Sequence, residues 1–325
     1  MSQERCTVNN PFFSVVIPTH NRAEMLRDAI RSVLAQTFQK FEMLVVDDYS
    51  TDHTREVVGS FNDKRIKYII NDRGGGGAGT RNAGIFRAKG KWVAFLDDDD
   101  IWLPQKLTLL HMKILEDDGS AGLIYTGAAA YDFENKRELQ SRIPEKEGWL
   151  QNDLLCRNYI GSYSAVAVRT DLLLNVGGLD ENFTALQDRE LYTRIARLTR
   201  VAFIRANLSY IRVANADRIT CSPKKKLESS ILYFEKNRIF IRQEPKLRHK
   251  AASRVFMLAL QGGNLKEAIK ALPWTFAGLF IDFSHAFQIF RSASFLYKTK
   301  LGRFLRSFSR IQNIIRLLIA PRLKQ

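Results

Sequence analysis

Along the first hundred residues, short apolar runs end abruptly in polar or acidic residues, and each is followed by a stretch with apolar positions three or four apart. Phe12–Ile17 is the first run, stopped by Pro18, and Arg22–Gln36 follows with helical spacing through Met25, Ala29, Ile30, Val33 and Leu34. Phe41–Val46 predicts a second strand ending at Asp47 and Asp48, and Ser50-Thr51-Asp52 caps a helix that runs to Phe61. Arg65–Ile70 predicts a third strand, the glycine-rich 74–79 opens a helix to about Lys89, and Lys91–Leu96 is the fourth strand. This alternation predicts a parallel sheet with helices on both faces. Ligands of such sheets bind at the carboxyl ends of the strands, so Pro18-Thr19, Asp47-Asp48 and Asp97–Asp100 are expected to converge on one crevice.

Further along, Pro104–Asp118 predicts a helix and Gly122–Thr126 a strand. Ala130–Arg142 has the polar content of a hairpin, Ser162–Val168 alternates like a strand, Gly177-Gly178-Leu179-Asp180 is a turn, and Asp188–Leu198 is helical. From Pro223 the spacing becomes helical with basic faces, over Leu227–Gln243, Lys246–Gln261 and Leu265–Ala271. A first domain over 1–222 and a basic amphipathic helical region over 223–325 are therefore expected.

Charge sharpens that division. The net charge of +16 is carried entirely by the last third: residues 1–222 hold 29 Lys+Arg against 29 Asp+Glu, and residues 223–325 hold 21 against 5. From Phe283 onward nine Lys or Arg stand among aromatic and aliphatic residues with no acidic residue between them. Such a tail implies an anionic surface as partner, here a membrane face. The apolar stretch Trp274–Phe290 is interrupted by Asp282, Ser284, His285 and Gln288, so a spanning helix is not expected. Met1-Ser2-Gln3-Glu4-Arg5 does not read as a secretory signal, which predicts a cytoplasmic protein, peripheral on the inner face of the plasma membrane. The three cysteines lack metal-ligand spacing and predict no disulfide framework.

Four consecutive carboxylates at a strand end repel one another, and alternate ones suit a hard, oxygen-liganded ion such as Mg²⁺ or Mn²⁺ that leaves positions open for phosphate oxygens. Gly74-x-Gly76-x-x-Gly79 matches the dinucleotide fingerprint, but it follows the third strand and leads to an aspartate cluster instead of a single acidic residue. It is better read as a flexible loop whose helix presents backbone N–H groups and Arg81 to a phosphate or base. His20 is read as a packing or polar contact, His111 as solvated, and Arg194 either pairs with Glu190 one turn away or faces a diphosphate.

Five ordered blocks together resemble glycosyltransferase family 2: 14–22 (SVVIPTHNR), 45–52 (VVDDYSTD), 77–84 (GAGTRNAG), 95–104 (FLDDDDIWLP) and 177–183 (GGLDENF) followed by 187–191 (QDREL). The resemblance covers roughly Phe12–Leu198 and implies the GT-A fold, a Rossmann-like mixed α/β sheet with helices on both faces, followed here by the helical appendage. It further implies transfer of one sugar from a nucleotide diphosphate sugar, a UDP-sugar, with inversion, to a glycan or lipid-linked acceptor of surface polysaccharide or lipopolysaccharide. Residue by residue, it implies that Pro18 and Thr19 line the nucleotide, Asp48 takes the base, and Arg81, Asp97 and Asp98 lie by the nucleotide and its sugar. Asp99, with Asp97, would hold Mn²⁺ or Mg²⁺, and Asp188 matches the catalytic base, with Gln187 standing where many members have an acidic residue. Two readings compete. A nucleotidyltransferase should show a basic loop after the first strand, which Pro18-Thr19-His20-Asn21 lacks beyond Arg22. A nucleic-acid binder would explain the +16 but not the charge-balanced, aspartate-rich first domain, and no nucleic-acid partner is expected.

Overall fold

In the computed structural model, which describes residues 10–72, 74–213, 222–261, 264, 266–268 and 270–271, every side chain of strand β1 (Phe13–Thr19) is buried. A strand buried on both faces belongs in the middle of a covered sheet, and its continuous apolar run is the sequence mark of that position. Helix α1 (Ala23–Leu34), strand β2 (Phe41–Asp47), helix α2 (Thr54–Gly59), strand β3 (Ile66–Ile70), helix α3 (Gly76–Ile85) and strand β4 (Trp92–Phe95) follow in the expected order. β1 pairs in parallel with β2 and β4, and β2 with β3.

The sheet then changes direction. After the short β5 (Ile101–Trp102) and helix α4 (Lys106–Glu116) come β6 (Ala121–Asp132), β7 (Arg137–Arg142), α5 (Gln151–Cys156), a 3-10 turn at Tyr163–Ala165, β8 (Val166–Arg169), α6 (Thr170–Asn175), α7 (Gln187–Ile195) and β9 (Arg200–Arg212). The order across the sheet is β3-β2-β1-β4-β8-β6-β9-β5, with β7 on β6. β8 lies antiparallel to both β4 and β6, while β6 and β9 run parallel. The sheet is thus mixed, as the GT-A expectation has it, and the parallel alternation of the first half describes only four of its strands.

Two cores cover the two faces. On one, Phe13, Val15 and Ile17 pack with Leu26, Ile30 and Val33 of α1 and Leu107 and Leu110 of α4. On the other, Val16, Leu44 and Val46 pack with Ala78, Ala83 and Ile85 of α3 and Leu191, Tyr192 and Ile195 of α7. The two-residue periodicity within β1 sends alternate side chains to opposite cores. The Gly177–Gly178 turn docks on α3 through Asn82, whose amide donates to the Leu179 carbonyl at 3.0 Å and accepts the Leu179 N–H at 2.7 Å. Gly178 has φ +73°, and a Cβ there would stand 2.4 Å from the Asn82 side-chain oxygen, so glycine is required twice over.

Several expectations change. β9 is thirteen residues long and no run of the sequence predicted it. Its pairing with β6 shifts register around Gly127, which breaks the alternation that marks a strand. The glycine-rich segment is not slack: Gly79 lies inside α3, where a Cβ would meet the Gly74 carbonyl oxygen at 1.8 Å. His111 is half-buried, not solvated, with its ring 4.6 Å from that of Phe12 and 4.7 Å from that of Phe38.

The helical stretch expected over Leu227–Gln243 divides into α8 (Pro223–Lys236) and α9 (Arg238–Gln243), and α10 spans Pro245–Gln261. The chain separates into compact units of Met1–Arg238 and Ile239–Gln325, so α8 lies with the first. The phenol of Tyr233 is buried against Thr193 at 2.7 Å and donates to the Leu154 carbonyl at 3.1 Å, and Lys236 reaches Asp180 at 2.7 Å and Glu190 at 2.5 Å. In the second unit, α10 buries Leu247, Ala251 and Leu258. The basic tail expected from Phe283 lies outside the described residues, and among the described residues no helix is long and apolar enough to cross a membrane.

Lys106 is fully buried in the first unit, and its ammonium donates to Thr126 Oγ1 at 3.0 Å and Ser209 Oγ at 3.2 Å, with no ion pair to a carboxylate among the described residues. Burial lowers its pKa from the ordinary 10.5 to about 7. Between these values the unfolded chain holds a proton that the folded one does not, so stability rises with pH across that window, by at most about 1.4 kcal/mol per unit, and is flat below it. Urea midpoints from pH 6.5 to 9.5 are expected to climb in the wild type relative to Lys106→Met, which lacks the titrating group.

Candidate active site

The carboxyl ends of β1, β2 and β4 meet as expected, and Arg22, Arg81 and Arg212 meet them. Asp97, Asp99 and Asp100 bring carboxylate oxygens within 4.8 Å of one another. Asp98 turns away from that cluster: it accepts from Thr19 Oγ1 at 2.9 Å and from the Arg22 guanidinium at 3.0 Å, and the same guanidinium reaches Asp99 at 3.1 Å. Burial pushes Asp98 up to about 6, against the opposing pull of Arg22. Asp97 pairs with Arg81, which also donates to the Gly77 carbonyl at 2.9 Å and lies 4.3 Å over the Tyr163 ring. Arg212 donates its side-chain Nε to the Asp99 carbonyl at 3.1 Å.

Asp100 is the deepest of the four, and both of its oxygens are engaged. Ser164 Oγ donates to one at 2.6 Å and the Arg212 backbone N–H to the other at 3.1 Å. Burial first, and then the charges of Asp97 and Asp99, raise it well above the usual carboxylate range. Ser164 Oγ also accepts the Asp97 N–H at 3.0 Å, while the Ser164 carbonyl takes the Trp102 indole N–H at 2.8 Å and Ser209 Oγ at 2.7 Å. One serine therefore ties the aspartate loop to β5 and β9.

Asp48 accepts from the Asn71 amide at 2.8 Å and donates its N–H to the Thr19 carbonyl at 2.9 Å, and His20 Nδ1 meets the Asp48 carbonyl at 2.7 Å. That is the polar contact expected of His20. Pro18, paired with Val46, lies one residue inside the crevice rim. Arg194 makes the intrahelical pair: it binds Glu190 at 2.7 Å and caps the Val176 and Gly178 carbonyls at 2.8 and 2.9 Å.

Asp188 lies in the first turn of α7, half-buried. One oxygen accepts its neighbour's N–H from Arg189 at 2.7 Å, and the other accepts from the Asn158 amide at 2.7 Å. Burial raises its pKa, the Arg189 N–H and charge oppose that, Asp97 raises it further and Arg81 opposes it. The Tyr163 ring, under Arg81, meets the Tyr192 ring of α7 at 5.9 Å, which brings the helix carrying Asp188 to the wall beside Asp97. Along this wall the Arg81 Nε, Tyr163 hydroxyl and Tyr192 hydroxyl are buried and have no hydrogen-bond partner among the described residues. Unpartnered buried donors at one place mark where a polar ligand is accommodated.

Whether the acidic group suits a divalent cation turns on its donors. Three converging carboxylates, with one of them destabilised as an anion by the other two, form the all-oxygen set that Mg²⁺ and Mn²⁺ prefer. The residues fit. The sequence expectation of Asp97 with Asp99 matches two members of the cluster; Asp100 was not singled out, because no spacing rule separates it from its neighbours. Ser164, Asn158 and Arg212 were also missed, being single polar residues in segments whose register only the folded sheet reveals.

Comparison with known proteins agrees with this geometry. The sequence model of Glycosyl transferase family 2 matches residues 14–171. The UDP-Glc:alpha-D-GlcNAc-diphosphoundecaprenol beta-1,3-glucosyltransferase WfgD of Escherichia coli is 36% identical over 162 residues, 50% of this chain and 61% of that protein. The GalNAc(5)-diNAcBac-PP-undecaprenol beta-1,3-glucosyltransferase of Campylobacter jejuni is 34% identical over 160 residues, 48% of this chain and 51% of that protein. Among solved structures, S. aureus TarS 1-349 in complex with UDP-GlcNAc superposes with a TM-score of 0.62 at 20% identity, over 80% of this chain and 79% of that one. The mannosyltransferase PcManGT from Pyrobaculum calidifontis, in complex with GDP-Man and Mn2+, gives 0.55 at 20% identity over 96% and 88%. These likenesses establish the GT-A fold.

Replacing Ser164 with Ala removes a donor from Asp100 and an acceptor from the Asp97 N–H at once. The unfolding free energy is expected to fall by about 1–3 kcal/mol. Mn²⁺ affinity is expected to fall with it, as urea denaturation and calorimetric titration of the full chain with Mn²⁺ would show.

Proposed function

Because residues 14–171 belong to glycosyltransferase family 2 and fold as GT-A, we propose that this protein transfers a single sugar, with inversion, from a UDP-sugar to a lipid-linked saccharide. The observation that carries the reading is the pairing of two unlike carboxylate environments on one crevice. Asp97, Asp99 and Asp100 converge in one cluster, and Asp188 lies outside it, held by Asn158 and the Arg189 N–H.

In this reading Pro18, Thr19 and Asp48 line the nucleotide at the ends of β1 and β2, and Asp98, fixed by Thr19 and Arg22, faces its ribose or the donor sugar. Asp97 and Asp99, with Asp100 behind them, would hold Mn²⁺ or Mg²⁺, which when bound supplies charge neutralisation for a leaving diphosphate. Arg81 supports the same phosphates from the wall formed by Tyr163. Asp188 accepts the proton of the acceptor hydroxyl as that oxygen attacks the anomeric carbon from the side opposite the departing diphosphate, and this in-line attack inverts the configuration. Its raised pKa makes it a stronger base while the Asn158 amide keeps the anion aligned. The E. coli and C. jejuni relatives, whose names specify diphosphoundecaprenol-linked substrates, support a lipid-linked acceptor. The excess of basic residues in the last third suits a site on the inner face of the plasma membrane.

The direct test is release of nucleoside diphosphate from a panel of nucleotide sugars, with Mn²⁺ or Mg²⁺ and with chelator. Turnover of one donor, abolished by chelator and in Asp99→Ala, is expected; absence of any nucleoside diphosphate binding would sink the reading. Asp188→Asn is expected to lower turnover by about 10²–10⁴ while nucleotide affinity holds. Activity should be lost as pH falls through the pKa of Asp188, because the base must be ionised. Asn158→Asp keeps the acceptor oxygen used by the Ile160 and Gly161 N–H groups but sets a like charge against Asp188, so the acidic limb of the rate profile is expected to move upward by about one pH unit or more.

A further inference from the structure

The loop that aligns Asp188 is flanked by two guanidinium groups, those of Arg142 and Arg157. Arg157 immediately precedes Asn158, and Arg142, at the end of β7, reaches over the loop and donates to the Asn158 carbonyl. Both side chains are exposed, and among the described residues neither forms an ion pair. Lys146 is different: it is taken by Asp153, and its ammonium stacks 4.5 Å from the centre of the Tyr159 ring. Arg157 lies over the same ring at 5.7 Å.

The chain makes room for this arrangement. Gly161 has φ +105°, and a Cβ on it would press to 3.3 Å of Arg142 Nη1, so the loop is wound to let the arginine lie against it. Arg142 is pushed below its ordinary value by burial and then by the charge of Arg157, while Asp188 pulls it back. Two like charges thus stand on the loop beside the base, one of them bonded to the Asn158 carbonyl. Beyond the bond from Arg142 to the Asn158 carbonyl, these guanidinium groups keep N–H donors that meet no carboxylate among the described residues, and the planar guanidinium fork matches phosphate oxygens two at a time.

We propose that Arg142 and Arg157 form an acceptor-side anion site that holds the diphosphate of a lipid-linked saccharide, while Asn158 between them keeps Asp188 aligned on the sugar hydroxyl. This rests on the glycosyl-transfer reading above and adds to it a second diphosphate site, separate from the donor's. Donor phosphates belong to the side of Arg81 and the aspartates; acceptor phosphates belong to the side of β7 and the 157–161 loop. The order of groups then follows the reaction: cation cluster, donor sugar, acceptor hydroxyl at Asp188, acceptor diphosphate.

The test is calorimetric binding of geranyl diphosphate, a soluble lipid diphosphate, to the full chain in the presence of saturating UDP and Mn²⁺, which fill the donor side. Wild type is expected to bind it, and the double variant R142Q/R157Q to bind about tenfold more weakly or worse, the loss of one or two contacts to a charged group. UDP titrated with Mn²⁺ onto the same variant is expected to bind as it does to wild type, which also reports that the variant is folded. Unchanged geranyl diphosphate affinity in the variant, or no binding by wild type, overturns the site. A parallel loss of UDP affinity would assign the arginines to the donor instead, and inorganic pyrophosphate binding as tightly as geranyl diphosphate would assign them to a free anion; either overturns the proposal. Failure of UDP to bind wild type at all would instead strike the glycosyl-transfer reading, so the two failures are told apart.

Discussion

Asp100 is a buried carboxylate with two more carboxylates at its side, and much of the first unit is arranged to keep it there. A buried anion is tolerated only where its lone pairs are met by donors and its neighbours' fields are offset. Ser164 and the Arg212 backbone meet its two oxygens, Arg22 offsets Asp98 and Asp99, and Arg81 offsets Asp97. Ser164, Arg212, Arg22 and Arg81 come from four separate segments of the chain. The aspartate loop is consequently a point at which β1, α3, the turn before β8, and β9 are all fixed with respect to one another.

The change of strand direction is what makes this possible. In a purely parallel sheet the strand beside β4 would also end at the crevice and be followed by a loop of its own. Here β8 runs the other way, so the chain enters it from the crevice side and the 3-10 turn carrying Ser164 lies against the end of β4. β9 then brings Ser209 and Arg212 to the same place. The mixed topology therefore converts an exposed acidic strand end into an enclosed one, and it sets Tyr163 and Arg81 as the wall between that end and Asp188.

What could be read in the sequence is the part built from local signals. The buried runs of β1, β2 and β4 announce themselves by length and by the polar residues that stop them, and α1 by its apolar stripe. The four aspartates are visible as unusual chemistry, and their meeting with Pro18-Thr19 and Asp47-Asp48 follows from the rule that ligands gather at carboxyl strand ends, whereas the QDREL segment was marked only by the family resemblance. β9 was hidden because its register against β6 shifts and because Arg205, Asn207 and Ser209 interrupt its apolar residues. Ser164 and Asn158 were hidden for another reason: a lone serine or asparagine in a connecting segment looks the same whether it caps a turn or orients a carboxylate. Arg22 was visible as part of a block, but its bridge between Asp98 and Asp99 depends on a contact across 76 residues. Within the helical region the periodicity was legible while the division between units was not, since the burial of Tyr233 depends on a partner in α7.

The Arg212 N–H reaches Asp100 across 112 positions of chain, and Ser164 reaches it across 64. Synthesis runs from the amino end, so the aspartates leave the ribosome long before either donor exists. Until β8 and β9 are made and docked, that loop has only Arg22 and Arg81 to moderate its charge, and nothing encloses it. The parallel half of the sheet can begin to assemble from local pairings while its acidic end remains hydrated, and closure of the sheet by its last strand is the event that draws the carboxylates together. A nascent or truncated chain lacking β8 and β9 would therefore carry its four aspartates open to water, with the two donors that enclose Asp100 missing.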